Sequence, residues 1–363
     1  MKYDLLVVGN GFDKGCNYKT SYSEFLDSFR GRGVSNYLIS FFQSAYNNSL
    51  IENEEWNGFE NLLCQYLQFL DYLFNSTTNV KRHFSDEEED AWGNHFRRYY
   101  YLTIEEISKL PQNIYVILTL VSPLDDKLFV STSEKFNNRF TRIDDYSSIR
   151  ELYFRVFINA TLPNMNKQYV LSYLLKELDM RLKNLETELK TYIASVTTEP
   201  SSLPYKIIDD TTDRIMSFNY SRTAQRMFGL DDDRVAYVHG DIGSDVVIGV
   251  EPSMIDGQTF KEQSSFIMFF KRFRRIYKNC NKSFNHKIIN KLNENSIIGI
   301  YGHSLDLADR SLLYPLFVKK YKAYFVYCYQ DVNPYKLKLV NLLGLDLYDE
   351  LEKDDKIKLI KVS

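Results

Sequence analysis

The spacing of apolar and polar positions changes character twice along this chain. Leu5-Leu6-Val7-Val8 is a continuous apolar run that stops at Gly9-Asn10-Gly11. A short run without alternation predicts a strand buried on both faces, the usual first strand of a parallel sheet. Tyr22 to Phe29 then predicts a helix. From residue 35 to 205 the period becomes helical. Helices are expected over Tyr37–Tyr46, Phe59–Phe74 and Glu87–Leu110, the last opening on Asp86-Glu87-Glu88-Glu89-Asp90, which suits the positive end of a helix. The clearest runs from Lys167 to Val196, where Leu171, Leu175, Leu178, Leu182, Leu185, Leu189, Tyr192 and Val196 recur at alternating steps of four and three. That heptad seam suits an antiparallel hairpin within the chain or a homo-oligomer contact through the helical segment. Tyr115–Val121 fits either element type, and Ser131–Ser148 reads as loop.

A Pro/Ser-rich break at Glu199-Pro200-Ser201-Ser202-Leu203-Pro204 ends the helical section. Strands and helices then alternate. Strands are expected at Arg214–Phe218, Val235–Val238, Val246–Val250, Ile297–Tyr301, Ala323–Tyr327 and Ile357–Val362. Helices are expected at Thr223–Phe228, 257–279, 284–293, Leu312–Lys320 and Tyr335–Leu343. This rhythm predicts an α/β fold: a doubly wound, mostly parallel, Rossmann-like sheet with a large α-helical insertion. The sheet domain would comprise residues 1–34 and 206–363, and the insertion residues 35–205.

Composition narrows the classes of function. The chain has 363 residues, a net charge of −3, and many aromatic residues, with 28 Tyr and 25 Phe. Without a global basic field, nucleic acid is not an expected partner. One basic cluster, Lys271-Arg272-Phe273-Arg274-Arg275, reads first as a solvated helix face. Cys16, Cys64, Cys280 and Cys328 lie far apart without C-x-x-C spacing, so no metal site is expected. The chain shows neither a secretory leader nor an apolar run of roughly 20 residues, which predicts a cytoplasmic protein without membrane association.

Three segments place glycine and polar residues just after an expected strand, and in a doubly wound sheet such ends share one edge where ligands bind. Gly9-Asn10-Gly11-Phe12-Asp13 permits close backbone approach, and a helix after it would offer N–H groups to phosphate. Tight strand-to-helix turns need glycine in any case. Asp13 would repel phosphate and fits better as an acceptor for ribose hydroxyls or as a cap. Asn219, after the strand ending at Phe218, and His239-Gly240, after Val238, form the second group. Asn219 is read as positioning a water or ribose, or capping a turn. His239 is read as a proton acceptor, or as bonded to a backbone carbonyl. The third segment, Gly302-His303-Ser304-Leu305 with Asp306 and Asp309, opens a helix that Ser304 or Asp306 would cap. It lacks the second glycine of a nucleophile elbow. A metal-dependent nuclease built on Asp13, Glu251 and Asp309 is a further alternative, weakened by the absence of a tight carboxylate motif.

The opening stretch Leu6 to Asp13, continuing through Lys19-Thr20-Ser21-Tyr22-Ser23-Glu24-Phe25-Leu26, resembles the signature of the AbiH family of phage abortive-infection proteins. Trp56-Asn57-Gly58-Phe59-Glu60, Phe218-Asn219-Tyr220, His239-Gly240 and Tyr301-Gly302-His303-Ser304-Leu305 with Asp309 resemble its later motifs, in order. A more distant similarity is to the sirtuin-like fold, with departures at Asn10 and Phe12-Asp13 and no zinc-binding cysteine quartet. The resemblance implies an anti-phage effector that binds and hydrolyses NAD at the nicotinamide–ribose bond. In it His239 and Asn219 are catalytic, and Gly9, Asn10, Gly11, Phe12, Asp13, Gly302, His303, Ser304 and Asp309 hold the nucleotide. A phage-derived trigger is an implied partner. The alternative from another class is a non-enzymatic module that senses a nucleotide or phage component and acts with a partner.

Overall fold

Leu5–Val8 carries no polar side chain on either face, and in the computed structural model of the chain it lies inside a six-stranded sheet. The structure describes residues 1–30, 167–198, 211–251, 264–278, 288–329 and 331–362, with 98–101, 155–158, Ile39, Glu60, Leu63, Cys64 and Leu67. The chain forms two compact units: Met1–Tyr46, Ile51–Cys64 and Arg181–Ser363 in one, Asn47–Leu50 and Gln65–Met180 in the other.

The first unit holds the sheet. In chain order its elements are β1 (Lys2–Tyr3), β2 (Leu5–Val8), α1 (Asn10–Gly15) and α2 (Tyr22–Asp27). In the second unit β3 (Arg98–Tyr101) pairs antiparallel with β4 (Arg155–Ile158). Helix α3 (Lys167–Val196) leads back to β5 (Thr211–Thr212), β6 (Ile215–Ser217), α4 (Thr223–Phe228) and β7 (Val235–Tyr237). Then come α5 (Lys271–Tyr277), β8 (Ile297–Tyr301), α6 (Arg310–Val318), β9 (Ala323–Cys328), α7 (Val332–Leu343), α8 (Leu345–Lys353) and β10 (Ile357–Lys361).

The strand order is β10-β9-β8-β2-β6-β7, with every neighbouring pair parallel. Starting at β2, the chain winds outward through β6 and β7, returns to the other side of β2 at β8, and winds outward again. That is the order of a doubly wound dinucleotide-type sheet, and its reversal point lies between β2 and β8. Both faces of β2 are covered. Leu5 and Val7 enter one core with Leu313, Leu316 and Leu339, while Leu6 and Val8 enter another with Phe12, Cys16 and Ala224. No helix among the described residues is long and apolar enough to cross a membrane.

Several local expectations change. Residues 98–101 are a strand rather than part of a helix; Arg-Tyr-Tyr-Tyr is an aromatic run that fits a pleated surface better than a helical one. Val246–Val250 is buried but forms no strand, apart from a single bridge from Val250 to Phe270. Its Val247 and Ile248 N–H groups go instead to the His239 carbonyl and the Glu186 carboxylate, each at 2.8 Å. Of the helices expected over 257–279 and 284–293, the described parts are α5 and two 3₁₀ turns, at Ser264–Phe269 and Ile289–Lys291. Helix α8 has no counterpart in the expected elements and follows Gly344, whose φ of +84° separates it from α7. Tyr115–Val121, Ser131–Ser148 and Glu199–Pro204 lie outside the described residues, as do most of Tyr37–Tyr46 and Phe59–Phe74.

On α3 the heptad seam is buried in the single chain at Leu182, Leu185 and Leu189, and then steps to Ile193 instead of Tyr192. A straight α-helix drifts against a 3.5-residue repeat, and the four-residue step absorbs that drift. Glu186 lies buried beside the seam. Leu189→Ala is expected to cost about 2–5 kcal/mol of unfolding free energy, read by urea titration; a loss of less than about 1 kcal/mol would show a seam that packs against little.

Candidate functional site

The loops after β2 and β8 are locked together at the reversal point. Gly11 N–H donates to the Gly302 carbonyl at 2.8 Å, and Gly9 N–H to that of Tyr301 at 3.1 Å. The glycines serve this contact. A Cβ on Gly9 would stand 2.6 Å from Gly302 O, one on Gly11 2.8 Å from Gly302 Cα, and one on Gly302 2.3 Å from Phe12 N. Gly302 also has a φ of +66°. The close approach expected toward a ligand is thus made first between the two loops. The N–H groups of Gly11 and Phe12 are spent on Gly302 and Gly9, so the expected phosphate cradle does not form from these two.

The remaining predicted residues gather around the loops. Asn219 donates its side-chain N–H to the Gly9 carbonyl at 2.9 Å, tying the end of β6 to the first loop. Asn10 accepts from Thr20 Oγ at 2.7 Å. Asp13 is buried and accepts from Ser221 Oγ at 2.6 Å. Burial pushes its carboxyl up to about 6 against the pull of Ser221, Thr223 and Asn219. Phe12 is fully buried on Tyr301 and Phe228 and belongs to the core. Neither Ser304 nor Asp306 makes a capping bond, and Asp306 Oδ1 lies 3.5 Å from Lys338 Nζ instead.

Asp309 organises the deepest part. Its Oδ1 lies 2.8 Å from His239 Nε2 and 3.1 Å from Lys271 Nζ, and its Oδ2 lies 3.5 Å from His303 Nε2. His303 Nδ1 accepts from Leu305 N–H at 2.9 Å, so its proton sits on Nε2, facing Asp309. His239 likewise presents Nε2–H to the carboxylate, which leaves Nδ1 as an acceptor; this buried nitrogen has no hydrogen-bond partner among the described residues. Burial lowers His239 to about 4, more than Asp309 raises it, and the ring is neutral at pH 7. Burial works against the Asp309 charge as well. Lys271 and His239 outweigh it and hold the carboxyl well below the usual carboxylate range. Phe218 packs edge-on against both rings, with centroids 5.5 Å from His239 and 4.3 Å from His303.

The basic cluster on α5 is corrected by the structure. Lys271, Arg274 and Arg275 are buried, while Arg272 and Phe273 are exposed. Spacings of three and four place the buried cations on one helix face, where each meets polar or acidic groups. Lys271 is shared between Asp309 and Glu60, Arg274 pairs with Glu186 at 2.9 Å, and Arg275 donates to Ser311, which donates to Glu251. Lys271 and Glu60 are therefore site residues to which the composition gave no role. The i, i+3, i+4 spacing was the available signal for Lys271. Glu60 was legible only as part of a family motif. The carboxylates of the nuclease alternative are engaged by protein donors: Asp13 by Ser221, Glu251 by Ser311, and Asp309 by Lys271 and the histidines. Among the described residues no group of three or more His, Cys, Asp or Glu is arranged to hold a metal ion.

These loops border a cavity of about 530 Å³. Gly9, Asn10, Gly11, Asp13, Asn219, His239, Gly302, His303, Ser304 and Asp309 all line it, and Phe12 does not. Its volume is that of a small-molecule site, and its place outside the carboxyl ends of β2 and β8 is where doubly wound sheets bind ligands.

Fold and site together define a doubly wound α/β protein with a buried Asp–His–Lys cluster at the reversal point of its sheet. The bacteriophage abortive-infection AbiH family model matches residues 5–329, and the chain belongs to that family. No curated protein and no solved structure gives a match.

Proposed function

We propose that this AbiH protein is an abortive-infection effector that binds NAD in the 530 Å³ cavity and hydrolyses its nicotinamide–ribose bond. The observation that carries the reading is the Asp309–His239 pair. A buried carboxylate fixes the imidazole tautomer and leaves the other ring nitrogen with an uncommitted lone pair, the arrangement by which a histidine is readied to accept a proton. Cleavage of the bond between pyridinium and ribose builds positive charge on the sugar while nicotinamide departs neutral. The reaction then needs a held water, an acceptor for its proton and a screened pocket. His239 is the acceptor, Asn219 and the two glycine loops shape the sugar site, and Asp13 faces the ribose hydroxyls.

The test is release of nicotinamide from NAD by the purified full chain, with and without lysate of phage-infected cells, followed by chromatography. Release in either arm supports hydrolysis. Saturable NAD binding with no release in both arms transfers the site to the sensing alternative.

A further inference from the structure

Lys271 Nζ lies 2.7 Å from Glu60 Oε2 and 3.1 Å from Asp309 Oδ1, and all three groups border the cavity. One buried ammonium thus faces two carboxyls. Two carboxylates sharing a site do not both ionise at ordinary cost, so one of them keeps its proton. The donors decide which. Asp309 also receives the N–H groups of His239 and His303, whereas Glu60 is bonded to the shared Lys271. Asp309 is the better stabilised anion, and the proton resides on Glu60. The electrostatics agree: burial pushes Glu60 up to about 8 despite Lys271, with Asp309 repulsion adding to the rise.

A protonated carboxyl in this position has no task in the release of nicotinamide, because the pyridinium nitrogen takes the bonding electrons and becomes neutral. It has a task when the departing base would otherwise leave as an anion. We propose that Glu60 is a catalytic general acid and that the cavity also hydrolyses N-ribosyl bonds of uncharged bases, adenine nucleotides in particular. In that step the C1′–N9 bond breaks and its electron pair passes to adenine, which takes the proton of Glu60 at a ring nitrogen. Water forms the new C1′–O bond and gives its proton to His239, and that proton returns through solvent to Glu60. The inference rests on the reading of the cavity as a nucleotide hydrolase that uses His239.

The experiment compares adenine release from adenosine monophosphate with nicotinamide release from NAD for wild type, Glu60→Gln and Glu60→Asp, with the infected-cell lysate arm. Circular dichroism and nucleotide affinity check the fold. A positioned acid contributes about 10²–10⁴-fold. Glu60→Gln is therefore expected to lower adenine release at least about 100-fold and the ratio of adenine to nicotinamide release at least about tenfold, with Glu60→Asp recovering part of both. Equal losses on both substrates would make Glu60 a structural partner of Lys271 and overturn the proposal. Wild type that frees nicotinamide but no adenine overturns it while leaving the NAD reading intact. Wild type that frees neither overturns both.

Discussion

His239→Ala is expected to lower nicotinamide release by about 10²–10⁴-fold with the fold retained, because a positioned proton acceptor is worth about that much. The histidine is buried, but it lies at the end of β7 on the cavity wall, and most of the apolar packing of the sheet is made by other side chains. Asp309→Asn probes the same pair from the other side. The amide keeps the shape but not the charge, so neither the tautomer of His239 nor the ammonium of Lys271 remains fixed. In a protease triad the corresponding change costs about 10⁴ in turnover. The pH profile adds a sign. The groups acting on His239 are Asp309, Lys271 and Arg275, and burial dominates, holding it near 4 rather than 6.5. A histidine depressed in this way is neutral when folded, so its contribution to stability is intact above about 6.5 and is lost as the pH falls toward 4. The profile of kcat/KM for nicotinamide release should accordingly be flat through pH 6.5, with its acid limb near 4. A limb at 6.5 would mean that the reactive base is a solvent-exposed group rather than His239. Adenine release should add an alkaline limb near 8, where Glu60 loses its proton.

The sheet was legible because its strands are short apolar runs ending in glycine or polar residues, a pattern that needs no tertiary information. The placement of β2 among strands from beyond residue 205 followed from the same logic, since a four-residue run buried on both faces needs strands beside it. The three strand ends were legible as one edge for that reason. Their mutual bonds were not. That Asn219 holds the Gly9 carbonyl, and that His239 meets Asp309 rather than a backbone carbonyl, depends on loop geometry with no one-dimensional trace. Lys271 shows the limit most clearly. Inside a run of cations a solvated face is the ordinary expectation, and only the acidic partners supplied by distant segments make burial affordable in free energy. Val246–Val250 misled in the opposite sense. Its apolar residues are buried as a strand's would be, yet a carboxylate on α3 takes one of the N–H groups that a neighbouring strand would have bonded.

Gly302→Ala is expected to destabilise the protein and to weaken nucleotide binding together. The site needs the loops after β2 and β8 in backbone contact, and Gly302 is where they touch. An alanine Cβ would stand 2.3 Å from Phe12 N and 2.6 Å from Gly11 C, and both obstacles are backbone that no side-chain rotation can clear. The φ of +66° adds a left-handed penalty of about 1–2 kcal/mol for any residue with a Cβ. Overpacking against fixed atoms typically adds about 1–3 kcal/mol. The combined loss of roughly 2–5 kcal/mol should appear in urea unfolding, and because Gly11 N–H loses the Gly302 carbonyl, nucleotide affinity should fall with it. Gly229→Ala is the control. Its φ of +61° carries the same left-handed cost, but a Cβ there meets nothing within 4 Å. Gly302→Ala should therefore destabilise by more than Gly229→Ala and should also lose nucleotide affinity, while Gly229→Ala retains it. Equal destabilisation with binding intact in both would mean that the two loops are not clasped at the reversal point of the sheet, and the site built on that contact would fall with it.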